Sequence, residues 1–554
     1  MNTHNLSRII SIAKGEKKAE LVLKNAKVVD VFCHRVIDCD IAICDGLIAG
    51  IGKYDGFCEV DLHGNYVMPS FVDSHAHIES SMLTPAQYAS AVVPKGVTTV
   101  IADPHEIVNV CGEDGFKFMI DSAKDVPMDI HFMLPSCVPA TPFDSAGCVI
   151  DGDETKRLFE KYNCFGLGEM MNFPGVLEAD EDILKKLSYA DIIDGHAPAV
   201  TCNNLCAYTA CGIKTDHECT TTEEVIEKVS MGMYVLIREG SSARNLEQLY
   251  PAINKDTLRR LLFCTDDKHL DDILSQGTIS HCINKAIEMG LDPIDAIVMS
   301  TLNSCECYGL KNQGAIAPGY KADLLVCGDL SADNILKVYK DGKLVAKNGK
   351  ALFDCPDIDA STVMNTVNIK PISLSDIEHN FDPKKTVIEV FAHTLYTAGI
   401  KCDTKKGLNL ATVIERHNAT GNIGKAYVKG IDIIGGAVAQ SIGHDSHNIC
   451  VVGDNENDML IAIEALGTQG GISVVKNGEV LGVFKLPIAG LMSDKPASVA
   501  LEEYNKVCDA LKLVSDNADS SLFMLMSFMS LLVIPDVKLS DKGLFDVNKW
   551  QFID

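Results

Sequence analysis

Two histidines separated by one residue close the apolar stretch Met68-Pro69-Ser70-Phe71-Val72-Asp73-Ser74-His75-Ala76-His77. Side chains two apart along a strand share a face, so His75 and His77 reach toward one point while Ala76 turns away. One metal ion held by the pair is one reading; two histidines that merely end a strand is the other. Further ligand-type residues decide between them. Asp103 and His105, Glu169, His196, His217 and Asp266 each stand at or just past the end of another short apolar run. So many imidazoles and carboxylates at corresponding places point to a metal-dependent reaction.

The runs that must position these residues recur with a steady rhythm of short strand, polar strand end and helical stretch. Eight are expected, at 71–77, 98–103, 131–136, 164–170, 191–196, 213–217, 234–239 and 261–266. Strands alternating with helices run parallel, and eight of them at these intervals fit a (β/α)8 (TIM) barrel, whose chemistry belongs at the carboxyl ends of the strands. Before them, residues 19–64 alternate short β-rich runs around the turn pair Asp45-Gly46. A matching block returns after them, from Ile316 through Asp341-Gly342 to Val345. The expected organisation is therefore a small split β-sandwich domain (1–68 and 313–362), the barrel inserted in it (69–312), and an α/β domain (363–554). In the last of these Asp454 or Asn455 caps a helix and Asn477-Gly478 turns a hairpin.

Composition limits the partners. The net charge of −27 and the sequence pI near 4.9 would repel a phosphate backbone, which excludes nucleic acid as a partner and leaves a small neutral or cationic ligand. The 21 cysteines show no repeated spacing and Met1 to Lys18 lacks a long apolar core, so free thiols in the cytoplasm are expected. The most membrane-like run, Leu522 to Ile534, falls short of the ~20 residues a span needs and reads as a buried helix stopped by Pro535.

Taken together, His75-Ala76-His77, Glu169, His196, His217 and Asp266 inside a split β domain resemble the metal-dependent amidohydrolase superfamily. Asp103-Pro104-His105-Glu106-Ile107, Gly168-Glu169-Met170-Met171-Asn172, Asp194-Gly195-His196-Ala197-Pro198, Thr215-Asp216-His217-Glu218, Arg238-Glu239-Gly240-Ser241-Ser242 and Gly443-His444-Asp445-Ser446-His447-Asn448 resemble the bacterial adenine deaminases, nearly end to end. Most two-metal amidohydrolases carry a carboxylated lysine on the fourth strand, where this chain has Glu169. The resemblance implies two divalent ions, Mn2+ or Fe2+, although ligand type alone also admits Zn2+. His75, His77 and Asp266 would hold one ion, His196 and His217 the other, and Glu169 would bridge them. Two ions sharing a water supply hydroxide near neutral pH, with Asp266 taking its proton, for attack on C6 of adenine in purine salvage. A homo-oligomer, a dimer or larger, is also implied.

Other residues carry open choices. Glu239 is a candidate for protonating N1 of the purine, or it forms an orienting ion pair with Arg238, itself a candidate substrate contact. Asp103 and His105 are expected to support the ligands or touch substrate, with His105 as an extra metal ligand the other choice. Cys202, Cys206 and Cys211 read as small core residues and His131 as structural. The loop Gly443 to Asn448, with His447 and Asp445 as candidate substrate contacts, could reach the active site, hold a third metal or make only its own turn.

Overall fold

A computed structural model describes residues 3–391, 394, 396–515 and 519–553. A nine-stranded sheet gathers the two segments that flank the barrel in sequence. Its order is Lys350–Ala351, Lys343–Lys347, Ile335–Lys340, Leu324–Cys327, Tyr66–Pro69, Ala19–Asp30, Arg35–Cys44 and Leu47–Gly52, with Gly56–Asp61 also beside Ala19–Asp30. The two sequence halves meet where Leu324–Cys327 pairs antiparallel with Tyr66–Pro69, Leu325 opposite Met68. The chain thus leaves this sheet at Pro69, enters the first barrel strand at Phe71, and returns beside its own point of departure. The hairpin at Asp341-Gly342 has φ of 48° and 73°, the left-handed pair that a two-residue turn between twisted strands requires.

The barrel strands are Phe71–Ala76, Val97–Ala102, Asp129–Leu134, Gly166–Met170, Ile193–Gly195, Thr215–Asp216, Tyr234–Arg238 and Leu261–Cys264. The first five pair in parallel in that order, and so do the last three. Two thin seams close the ring. Between the fifth and sixth strands, Lys214 N donates to Ile193 O at 3.4 Å and Gly195 N to Thr215 Oγ1 at 3.0 Å. Between the eighth and first, Asp266 N donates to His75 O at 3.0 Å, and the Asp73 carboxylate accepts from Thr265 N and Oγ1. His75 and Glu169 stand on the last residues of their strands, whereas His77, His196, His217 and Asp266 sit one or two residues past a strand end, on the turns that leave the barrel.

The C-terminal domain is built on an eight-stranded sheet ordered Thr397–Ile400, Val387–Val390, Ile423–Lys429, Asn409–Ile414, Ile449–Gly453, Gly436–Gln440, Gly471–Lys476 and Glu479–Lys485. Alternate side chains serve opposite faces. Ala437, Ala439, Ile449, Val451 and Val475 meet Met459, Ala462 and Leu466 of helix Glu456–Leu466, which Asn455 caps. Val438, Cys450, Val452, Ile472 and Val474 share the other core with Ala500, Val507 and Leu511 of helix Ala497–Val514, and this core is continuous with that of the barrel. The segment from Leu522 is buried, but its helix ends at Phe528 and the chain continues through turns to Ile534. Cys202 and Cys206 are exposed and Cys211 half-buried, so the expectation of core cysteines is corrected: helix Cys202–Ala210 buries Leu205 and Tyr208 instead. Among the described residues no helix is long and apolar enough to cross a membrane.

Candidate metal centre at the barrel mouth

The carboxyl ends of the barrel strands and the turns just past them bring His75, His77, Glu169, His196, His217 and Asp266 into one buried cluster. Three overlapping triads, His75-His217-Asp266, His75-His77-Glu169 and Glu169-His196-His217, each offer ligand atoms within 4.8 Å of one another. His75 Nε2 and His77 Nε2 face each other at 3.2 Å. His77 Nε2 lies 3.2 Å from Glu169 Oε1 and 3.0 Å from Asp266 Oδ1, while Glu169 Oε2 lies 2.7 Å from His196 Nδ1 and 3.2 Å from His217 Nε2. Glu169 thus turns one oxygen to each half of the cluster. Mixed imidazole and carboxylate donors at these separations fit divalent ions.

Each ligand is held from behind. His77 Nδ1 bonds Asp103 O at 2.9 Å, which places the ring proton there and leaves Nε2 free to coordinate. His75 Nδ1 faces Asp194, whose carboxylate accepts from Thr215 Oγ1 and Tyr308 OH. Asp266 sits at φ 57°, and its Oδ2 accepts from Arg238 Nη1 at 2.6 Å. A Cβ on Gly168 would stand 2.1 Å from Asp103 Oδ2, which accepts Glu169 N at 2.9 Å. Asp103 Oδ2 thereby holds the strand end that carries Glu169.

The imidazoles and carboxylates of the cluster favour one another's charged forms. Burial pushes the Glu169 carboxylate up, yet the hydrogen bond and charge of His196, with His217 and His77, hold it well below the usual carboxylate range. Burial alone would lower His75, but Asp194 and Asp266 draw it up to about 10.

The remaining candidates divide. His105 joins the cluster: its Nδ1 lies 3.5 Å from Glu169 Oε1 and its Nε2 3.9 Å from Asp445 Oδ1, so the C-terminal loop reaches the metal ligands through one imidazole. His447 does not face the cluster directly; its Nε2 is 3.0 Å from Glu106 Oε2. Arg238 forms no ion pair with Glu239, because neighbours on a strand point to opposite sides. It binds Glu218 through both terminal nitrogens. Glu239 turns outward, accepting from Leu246 N at 2.9 Å and pairing with Lys285 at 3.1 Å, which removes it from the proton-transfer position expected for it.

Glu218 is the residue that sequence reasoning passed over. It is buried, lies 3.5 Å from His217 Nε2 and 3.8 Å from His196 Nδ1, and is held below its ordinary value by Arg238 and these imidazoles against the cost of burial. Its signal was position alone, directly after a ligand histidine. A cavity of about 1470 Å3 opens onto this wall, lined by His196, Glu218 and Arg238 and, farther out, by Phe173, Arg244 and Trp550.

Residues 66–345 match the amidohydrolase family and residues 388–551 match the adenine deaminase C-terminal domain. The adenine deaminase of Clostridium acetobutylicum is 44% identical over 98% of this chain and 99% of its own length. Those of Nitratidesulfovibrio vulgaris strain DP4 and Geobacillus kaustophilus are each 43% identical, over 99% and 98% of this chain and 98% of their own. The chain belongs to the adenine deaminase family of amidohydrolases. Divalent metal binding follows from that membership and from the ligand cluster together. In this adenine deaminase family member the loop 443–448 lies within the span matched to the C-terminal domain, and its Asp445 stands against His105 of the barrel.

Proposed function

We propose that this chain hydrolyses adenine to hypoxanthine and ammonia at the barrel mouth, with two divalent ions, Mn2+ or Fe2+, held there. The barrel spans 69–312 and the domain 363–554 completes the site. The observation that carries this reading is the convergence of His75, His77, Glu169, His196, His217 and Asp266, in a chain alike end to end with named adenine deaminases. His75, His77 and Asp266 would hold one ion and His196 and His217 the other, with Glu169 between. Bound there, the ions supply Lewis acidity and bring a water's deprotonation toward neutral pH.

The chain's own residues do the rest. In the balanced reaction a C–O bond forms at C6, the C–N bond to the amine breaks, one proton of water goes to N1 and the other to the departing amine. Arg238 keeps Asp266 anionic through the 2.6 Å bond to Oδ2, so its carboxylate is fit to take the first proton. Glu218 faces the cavity beside His196 and His217 and binds the ring edge that carries a proton, with Arg238 fixing its rotamer. Asp445 and His105 position Glu169 from the C-terminal side.

A panel of adenine, guanine, cytosine and a cyclic amide tests the assignment. Ammonia from adenine alone supports it. Opening of the cyclic amide with no ammonia from adenine places the chain with a different amidohydrolase reaction.

A further inference from the structure

We propose that a further divalent cation binds where the C-terminal domain meets the barrel, held by Glu106, His444 and His447 with Glu79 and Asp267 beside them. His444 Nδ1 and His447 Nε2 each stand 3.0 Å from a different oxygen of the Glu106 carboxylate, and all three side chains are buried. His447 Nε2 nevertheless makes no hydrogen bond, because its N–H direction misses the oxygen. A nitrogen and an oxygen at that distance that do not point at one another are arranged as two ligands of one ion, since bonds of about 2.1 Å meeting near a right angle span it. The same spacing relates His77 Nε2 to Asp266 Oδ1 in the barrel-mouth cluster.

The carboxylates around this place are short of partners. Glu79 turns Oε1 to Ile107 N at 3.1 Å and leaves Oε2 buried with no partner. Ser80 Oγ donates to Asp267 Oδ1 at 2.5 Å and lies 3.4 Å from Glu106 Oε1, so the three carboxylates crowd one place. Among the described residues the ion pairs of Glu106 are with these two histidines alone, and Glu79 and Asp267 have none. Burying such a group without a fixed cation is costly.

One contact must yield. Gly443 N meets His447 Nδ1 at 3.3 Å, and metal at Nε2 leaves the ring proton on Nδ1, so this long contact opens when the ion binds. Imidazoles and carboxylates together suit Mn2+, Fe2+ or Zn2+. The ion would fasten the loop of the C-terminal sheet to the helix that begins at His105, and none of its ligands belongs to the barrel-mouth set.

Mn2+ is the probe. Full-length protein saturated with Mn2+ should carry three ions per chain by elemental analysis. Anomalous diffraction from its crystals should show two peaks at the barrel mouth and one between Glu106 and His444. Glu106→Gln should bring the count to two by erasing that third peak alone; Glu79→Gln serves if the first variant does not fold. A wild-type protein with only the barrel-mouth peaks overturns the proposal, as does a third peak that survives in Glu106→Gln. A missing barrel-mouth pair would instead count against the function proposed above, so the two failures are distinguishable.

Discussion

Replacing Lys228 by Met is expected to loosen the half of the metal centre built from His196 and His217, although Lys228 touches neither. Its buried ammonium donates to Ala197 O at 2.8 Å, Asp216 Oδ2 at 2.9 Å and Glu224 Oε1 at 2.7 Å. Asp216 Oδ1 in turn accepts Ala197 N at 2.8 Å, and Glu224 accepts Ala199 N and Thr220 N. One cation therefore ties the turn after the fifth strand to the turn after the sixth. Charged hydrogen bonds contribute ~1.5–3 kcal/mol each, but their sum overshoots because the variant no longer buries an ammonium. Removing one partner of a buried pair costs about 3–5 kcal/mol, chiefly by leaving the carboxylates of Asp216 and Glu224 uncompensated. Met roughly conserves the volume, so a cavity adds little. The assay is metal retention during a timed chelator challenge, alongside the urea midpoint. The variant should lose one barrel-mouth ion well before the other and unfold at lower urea. Addition of Asp216→Asn should cost less than it does in the wild type, because the two share one network. Wild-type ion retention together with a wild-type urea midpoint would refute the reasoning.

Three further outcomes are expected. Glu169→Gln should displace one barrel-mouth ion and lower kcat by more than ~100-fold, measured with elemental analysis and steady-state kinetics; full activity on one tightly bound ion would end the two-ion account. Glu218→Gln should leave the metal content intact yet lower kcat/KM for adenine by ~100-fold, and activity within twofold of wild type would show the carboxylate to be a support for Arg238 only. Burial pushes the Asp129 carboxyl up, but Lys340 and Lys321 bring it down to about 2. Its folded value thus lies below its unfolded one, so its stabilisation is complete above about pH 4 and is lost as the pH falls toward 2; with the side chain partly exposed this is at most ~2 kcal/mol. Asp129→Asn should flatten the acid limb of a plot of Tm against pH, and parallel limbs would contradict that.

What could be read from sequence was what repeats. A parallel barrel must place one strand end every few tens of residues, so the apolar runs and the polar residues that stop them were visible without any contact being known. The hairpins at Asp341-Gly342 and Asn477-Gly478 were visible because few dipeptides adopt left-handed backbone so readily. Orientation was harder. Arg238 and Glu239 looked like a pair because they are adjacent, yet adjacency on a strand separates side chains, and Glu239 went to Lys285. Glu218 was hidden beside His217, with no spacing of its own to mark it. The Glu106 contacts with His444 and His447 join segments that only the docking of two domains brings together. Cys202 and Cys206 misled because cysteine is so often buried, whereas helix Cys202–Ala210 turns them to solvent.

The most direct measurement is mass spectrometry of adenine turned over by the Mn2+-loaded chain in H2 18O. Hypoxanthine carrying one 18O at C6 is expected, together with one equivalent of ammonia. Unchanged adenine from protein whose barrel-mouth ions are both in place would contradict it.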